Sequence, residues 1–452
     1  MMLGPKSSSD EPAMGIAVVC ENASLKMGGE AAIPLRFFKA FRALGQHTRL
    51  LTHSRNRDEL TALLDREELR HVVFFEDTTM QKFIFKVGRK LPSRLQEIFI
   101  FGLIAAITET LQVRYLRNLA RMNEIDVVFQ PVPISPKALS LIDVSNAPVF
   151  FGPLNGAMDY PPAFRNGSNR ISDSIVHLGR LLCEPLHYVF PAKRRSSGIF
   201  LANPRTLRAL PRAARLVSTY KSFDATIDGP HWKEVRRDGD IETDHFLYVG
   251  RLVDWKAVRY AIAATHALEG RARLTIVGDG PEKDALISLA ASGPARIDFR
   301  GYLSHDALRG LYQSVCAQLL PSLREAGGNV CMEALAAGVP VIATRWGGAV
   351  DVVNDGVDGI LVEPTGENEL INGFAAAMRR MMDDPQAALA MGARGRARVL
   401  DAFDWTMKAR DFLEVFRRSI STTVPHIADR TCQDVHPIHA EQPHANRAWL
   451  SY

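Results

Sequence analysis

The stretch that decides the fold runs from Pro321 to Thr344, PSLREAGGNVCMEALAAGVPVIAT. An apolar run before it, Cys316 to Leu320, reads as a strand. Val330 to Ala337 reads as a helix stopped by Gly338 and Pro340, and Val339 to Thr344 as the next strand. This is one βαβ unit with a glycine-rich helix N-terminus. Bare amides at such an end suit a phosphate or diphosphate. Glu325 and Glu333 stand with seven residues between them. Glu325 can accept hydrogen bonds from hydroxyls on one side of that phosphate, and Glu333 on the other. A ligand with hydroxyls on both sides of a diphosphate is a nucleotide sugar. The competing account makes Glu333 a helix-surface charge and Glu325 a charge at the helix N-terminus.

The 452 residues are enough for two or three domains, and 23% charged with 46% apolar residues is ordinary for a soluble globular chain. A net charge of +5 suits anionic ligands or an anionic membrane face and is too small to argue for nucleic acid. The five cysteines, Cys20, Cys183, Cys316, Cys331 and Cys432, are scattered and form no CxxC pair. Neither a disulfide framework nor a zinc site is expected, and a reducing cytoplasm fits. The polar N-terminus lacks the apolar region of a signal peptide.

Strand and helix signals alternate along the chain, so parallel sheets are expected. Residues 1–13 read as disordered. Strands are expected at Ile16 to Cys20, Thr48 to Thr52, Val72 to Phe75, Asp126 to Phe129, Val149 to Phe151, Phe200 to Asn203 and Leu216 to Ser218. Gly28 and Gly29 lie in a loop before an amphipathic helix, Ala32 to Leu44; a bare glycine pair, without a full GxGxxG, also fits a simple tight turn. The polar, turn-rich stretch 228–244 reads as a linker between a first domain, 14–227, and a second, 245–399. The second opens with a strand, Phe246 to Val249, running into Gly250, Arg251 and Lys256. A strand before Gly278 follows, then Ile297 to Phe299 with Arg300, Gly301 and Tyr302 after it. Leu400 to Ser419 reads as one helix, and 421–452 as a flexible tail.

Between Gln81 and Arg121 lie eight cations (Lys82, Lys86, Arg89, Lys90, Arg94, Arg114, Arg117, Arg121) against Glu97 and Glu109. They surround an apolar run, Ile98 to Thr108, too short to span a bilayer. Two readings stay open: a buried core helix, or a surface helix flanked by cations that suits anionic lipid.

The Glu-x7-Glu spacing, together with Arg251 and Lys256 in VGRLVDWK, resembles the signature of retaining glycosyltransferases of family 4 (group 1). The likeness runs from about Gly15 to Phe416. It implies an α/β chain of GT-B architecture: two Rossmann-like domains with parallel sheets facing across a cleft. The last helix, about 400–420, is then expected to cross back onto the first domain. The resemblance assigns Arg251 and Lys256 to the diphosphate, and the amides of Gly328, Asn329 and Val330 to the diphosphate and nearby hydroxyls. Glu333 goes to the ribose and Glu325 to the transferred sugar. Gly28 and Gly29 lie beside the donor phosphate, and Tyr302 near the base. Where many members carry a histidine touching the donor sugar, the nearest polar residue here is Gln130, which puts the sugar in doubt. Gly327 stands where the family usually has an aromatic residue. The GPLNGAMDY loop after Phe151 resembles one in a subset of the family, and Asp159 is a candidate acceptor contact.

The implied reaction moves a hexose-type sugar from a nucleotide diphosphate sugar to a glycan, lipid-linked or small-molecule acceptor, with retention and without a metal or other cofactor. The leaving phosphate is expected to take the acceptor proton, so no general base is assigned. A bacterial polysaccharide or glycolipid pathway fits, with the protein cytoplasmic or peripheral on the inner face of the membrane. Two other readings are weighed: a non-hydrolysing nucleotide-sugar epimerase, for which the strand-end loops hold few carboxylates and histidines, and a silent binding scaffold, which should have lost Arg251, Lys256 or a glutamate.

Overall fold

The computed structural model describes residues 12–27, 29–88, 100–167, 183–222, 226, 227, 232 and 241–423. Gly28, most of 1–13, Arg89, Lys90, Arg94, Glu97 and Ile98, most of the 228–244 stretch, and 424–452 with Cys432 lie outside the described residues.

Two parallel sheets form the frame. The first comprises β1 (Gly15–Val19), β2 (His47–His53), β3 (Val72–Phe75), β4 (Val127–Gln130), β5 (Val149–Leu154), β6 (Gly198–Leu201) and β7 (Thr219–Lys221). The second comprises β8 (Glu242–Val249), β9 (Arg273–Val277), β10 (Arg296–Gly301), β11 (Val315–Leu320), β12 (Val341–Thr344) and β13 (Gly359–Val362). The strand orders are β3-β2-β1-β4-β5-β6-β7 and β10-β9-β8-β11-β12-β13. Both run outward one way and then reverse, the Rossmann pattern, as expected for the α/β class. Central strands such as β1, β4 and β11 are apolar runs buried along their whole length, because helices cover both faces. The switch points fall between β1 and β4 in one sheet and between β8 and β11 in the other. Ligands in such sheets bind beyond the strand ends at those points.

Ten helices matter below: α1 (Gly29–Ala43), α2 (Thr79–Gly88), α3 (Phe101–Arg121), α4 (Pro204–Ala209), α5 (Val258–His266), α6 (Asn329–Ala336), α7 (Ala349–Val352), α8 (Glu367–Asp383), α9 (Pro385–Ala402) and α10 (Trp405–Thr423). The last of them packs on the first domain. Phe412 stacks on Phe200 of β6 with ring centres 3.7 Å apart. It also meets Phe37 of α1 at 4.8 Å and Phe129 of β4 at 5.4 Å. Phe416 lies 4.7 Å from Phe150. An aromatic core of the first domain is thus completed by a helix that follows the second.

Several boundaries differ from the sequence expectations. Gly29 is the first residue of α1, not part of a loop before it. The strand expected at Leu216 to Ser218 forms at Thr219–Lys221, where Tyr220 pairs with Phe200; Leu216 is 96% exposed. The helix expected from Leu400 to Ser419 is two helices. They break at Phe403 and Asp404 because the Phe403 carbonyl accepts from the Ile227 amide at 3.0 Å, and Asp404 caps the next helix through the Thr406 amide at 2.7 Å. β8 begins at Glu242, inside the stretch read as a linker, and Arg300 and Gly301 belong to β10. The apolar run ending at Thr108 opens the longer α3, which buries Ile104 and Thr108 and exposes Leu103.

Phe412→Ala should destabilise the protein by about 3–5 kcal/mol, the usual range for emptying a packed phenylalanine site. Urea unfolding followed by tryptophan fluorescence measures this. A loss below about 1 kcal/mol would mean that α10 is a loosely held appendage.

Candidate active site

The site forms where the loops after β8 and β11, adjacent strands at the second switch point, are stitched together. The Trp255 carbonyl accepts from the amides of Leu323 at 2.9 Å and Arg324 at 3.2 Å. Asp254–Lys256 is a 3-10 turn ended by Ala257 in the left-handed region at φ 52°. The stitch brings Lys256 to Glu325, and the Lys256 ammonium is ion-paired and hydrogen-bonded to Oε2 of the buried Glu325. Arg251, just upstream, is exposed, and the Tyr248 hydroxyl donates to its carbonyl at 3.1 Å.

Glu325 is also fixed through its backbone. Its carbonyl accepts from the Gly348 amide at 2.9 Å. Gly347 lies at φ 64°, and a Cβ there would sit 2.6 Å from the Glu325 carbonyl oxygen, so only glycine fits. Gly328, at φ 67°, caps α6 and turns the chain into it. The first helical amides donate from Cys331 and Met332 back to the Gly328 carbonyl, so those of Asn329 and Val330 precede the ladder and point outward. Gln318 braces the helix start from β11: its amide donates to the Val330 carbonyl at 3.0 Å and its oxygen accepts from the Tyr312 hydroxyl at 2.7 Å.

Glu333 lies on the next turn of α6, half-buried. Burial pushes its carboxyl up to about 7, and Arg36 of α1, across the cleft, opposes that rise only in part. Gly29 of the same helix also approaches α6: a Cβ on it would lie 3.3 Å from the Asn329 side-chain nitrogen. The N-terminal ends of α1 and α6 therefore face each other, and Lys256, Glu325, Asn329, Glu333, Gly29 and Arg36 share one cleft.

Three sequence candidates, the exposed Arg251 among them, are not brought into this group by any contact. Gln130 is buried within the first domain, its amide donating to Glu109 at 2.7 Å and its oxygen accepting from Ser140 at 2.6 Å. Tyr302 follows β10, at the sheet edge, and is 84% exposed.

The sequence reading missed the strap that joins the domains at this point. The loop after β5 reaches the second domain: the Arg324 guanidinium donates to the Met158 carbonyl at 3.1 Å, and the Trp346 indole to the Asp159 carbonyl at 2.7 Å. Arg324 also lies over the Tyr160 ring at 5.4 Å, and Phe164 meets Tyr260 of α5 at 5.9 Å. Arg205 of α4 makes a bidentate pair with Asp351 of α7, at 2.5 and 3.2 Å. Lys193 was missed too. It is buried with its ammonium on the carbonyls of Ser135, Pro136 and Ala138 at 3.2, 3.0 and 2.7 Å, holding the loop after β4. Burial brings its pKa down to about 8. None of these residues stands in a recognisable local pattern; Arg324 and Trp346 could have been suspected only as neighbours of Glu325 and of the glycine pair.

Two Rossmann-like domains facing across such a cleft define the GT-B class. Residues 243–384 match the family described as Glycosyl transferases group 1. The fold of the chain is that of the GT-B class, and its second domain resembles the group 1 glycosyltransferases. It is 35% identical over 195 residues to the glycogen synthase of Mycobacterium tuberculosis, covering 42% of this chain and 46% of that one. The chain thus spans about half the length of the curated relatives it matches. Among solved structures, Anabaena HepE in complex with UDP superposes with a TM-score of 0.60 at 18% identity, over 90% of this chain and 100% of that one. The sucrose-phosphate synthase of Thermosynechococcus elongatus gives 0.63 at 17% identity, over 90% and 99%.

Gly347→Ala should displace the Glu325 backbone and, on the reading proposed below, weaken nucleotide binding about tenfold or more, while far-UV circular dichroism stays unchanged. Titration calorimetry with UDP reads the loss; full affinity in the variant would show that the loop accommodates a Cβ without moving Glu325.

Proposed function

We propose that the protein is a retaining glycosyltransferase that moves a hexose-type sugar from a nucleoside diphosphate sugar to a glycan, lipid-linked or small-molecule acceptor, without a metal ion. The observation that carries this is the convergence of a paired lysine and carboxylate, an open helix N-terminus and a second half-buried carboxylate at one switch point. Departure of a nucleoside diphosphate needs positive charge and donors placed where negative charge grows. Lys256, Arg251 and the amides of Asn329 and Val330 are of that kind. Glu325 then accepts from the sugar hydroxyls and Glu333 from the ribose. The leaving phosphate oxygen takes the proton of the acceptor hydroxyl as the new glycosidic bond forms on the face the leaving group vacates.

Structural neighbours described with UDP and UDP-glucose make uridine the first base to test. The positive charge is supplied by the protein, so transfer is expected to survive EDTA; activity abolished by EDTA and restored by Mn²⁺ would overturn the metal-free reading. Lys256→Ala and Arg251→Ala should each lower UDP affinity about tenfold or more, since a charge-assisted contact contributes roughly 1.5–3 kcal/mol. Unchanged affinity in both would remove the diphosphate assignment.

Glu333 gives a pH signature. Near pH 7 it is about half protonated before binding, and ribose hydroxyls donate best to the carboxylate, so binding releases a proton. UDP affinity should therefore rise between about pH 6 and 8, and calorimetry in two buffers of different ionisation heat should show the proton. Glu333→Gln should flatten both; a pH slope that persists in that variant assigns the proton elsewhere.

A further inference from the structure

Helix α2 is turned the wrong way for water. Its inward stripe is Gln81, Ile84 and Gly88, spaced three and four residues apart. Gln81 is fully employed there: its amide donates to the Ile104 carbonyl at 3.1 Å and Thr108 Oγ1 at 2.9 Å, and its oxygen accepts from the Thr78 amide at 2.9 Å. Gly88 seats against Ile100, where a Cβ would come within 2.7 Å. With the polar residue inside, the large apolar ones are left outside. Met80 is 63% exposed, Phe83 66%, Phe85 48% and Val87 52%. Leu103, near the start of α3, adds to the same concentration.

Met80, Phe83 and Val87 follow the i, i+3, i+7 spacing of one stripe, and Lys82 and Lys86, both exposed, form an i, i+4 pair beside it. No acidic residue stands in α2. A Phe left in water forgoes the free energy of its burial, and two in one ten-residue helix make an unusual surface for a protein in bulk water. Turning the helix over would bury the phenylalanines, but it would strip the Gln81 amide of its partners on α3, Ile104 and Thr108. An interfacial helix combines these features: an apolar face that enters the boundary between head groups and acyl chains, and lysines level with anionic head groups. The run is far too short to cross a bilayer, and among the described residues no helix is long and apolar enough to do so.

We infer that α2, with the start of α3, is a membrane-docking face for anionic lipid. The cationic flank decides the occupant: a second copy of this chain would set Lys82 and Lys86 against their own counterparts, whereas anionic head groups neutralise them. Docking by the first domain would bring a lipid-carried acceptor to the cleft while the second domain holds a soluble donor. That consequence rests on the proposed transfer, but the docking itself does not.

The test uses the full chain, vesicles of phosphatidylcholine with increasing phosphatidylglycerol, and cosedimentation at low and high salt. Binding should rise with phosphatidylglycerol and fall with salt. Lys82→Ser with Lys86→Ser should weaken it roughly 25-fold, at about fivefold per lysine near an anionic surface. Phe83→Ser with Phe85→Ser should abolish it at any composition. Both pairs are exposed, so UDP binding should stay as in the unchanged chain. That readout separates a failure of docking from a failure of the nucleotide reading. No binding to any vesicle, binding indifferent to both variants, or a concentration-dependent dimer dissolved by the phenylalanine changes would each overturn the inference.

Discussion

The ion pair between Lys256 and Glu325 is the constraint on which the site depends. A buried carboxylate is tolerable only when paired, and Glu325 is buried beneath the glycine turn that fixes its carbonyl. Removing either charge leaves the other uncompensated. The pair forms because the loops after two adjacent strands are joined through the Trp255 carbonyl, a backbone contact that any side chain at that position permits. The fold therefore delivers a lysine and a carboxylate to one place, and a helix N-terminus beside them, before any ligand arrives. On the proposed reading, an incoming diphosphate would compete with Glu325 for the same ammonium. In the proposed reaction this keeps Lys256 in position, already out of bulk water, with little reorganisation left to make.

Glu333 and the strap extend that constraint across the cleft. Glu333 is half-buried, and the charge that opposes its raised carboxyl is Arg36, which belongs to α1. The strap grips both flanks of the Glu325 backbone: Arg324 precedes it, and Trp346 precedes the glycines that hold its carbonyl. Movement of the first domain relative to the second must therefore be felt at Glu325. A loop that carries no charge into the site can still set the position of a carboxylate within it.

Much of this was legible in the sequence, and the failures have physical causes. The strands are apolar runs whose burial on both faces leaves a continuous signal; Arg251, Lys256 and Glu325 lie in the loops after such runs, and Glu333 on the helix after one. Gln130 follows one as well, but its side chain turns inward because Ser140 and Glu109, distant in sequence, offer it partners. The break at Phe403 is set by Ile227, far away in the chain, whereas the local pattern from Leu400 to Ser419 is helical throughout. α2 shows the same limit in a sharper form. Its composition announced cations and apolar residues, but only the partners of Gln81 decide which face looks outward.

The two chain crossings between domains are themselves bound together. Ile227, from the crossing before β8, donates to the Phe403 carbonyl at 3.0 Å, and Lys408 of α10 donates to Thr226 at 3.1 Å. Beyond that point α10 is locked into the first-domain core by Phe412 and Phe416. The strap and the Arg205–Asp351 pair are held otherwise, by a few hydrogen bonds, ring contacts and one partly exposed ion pair. The strength of the two sets differs: one is covalent chain backed by a fully buried aromatic cluster, the other is a polar seam whose net contribution per hydrogen bond is about 1 kcal/mol. If the domains move, the seam breaks and the crossings act as the hinge. The part that breaks is the part that touches Glu325, so opening for donor exchange and loosening of the site would be one event.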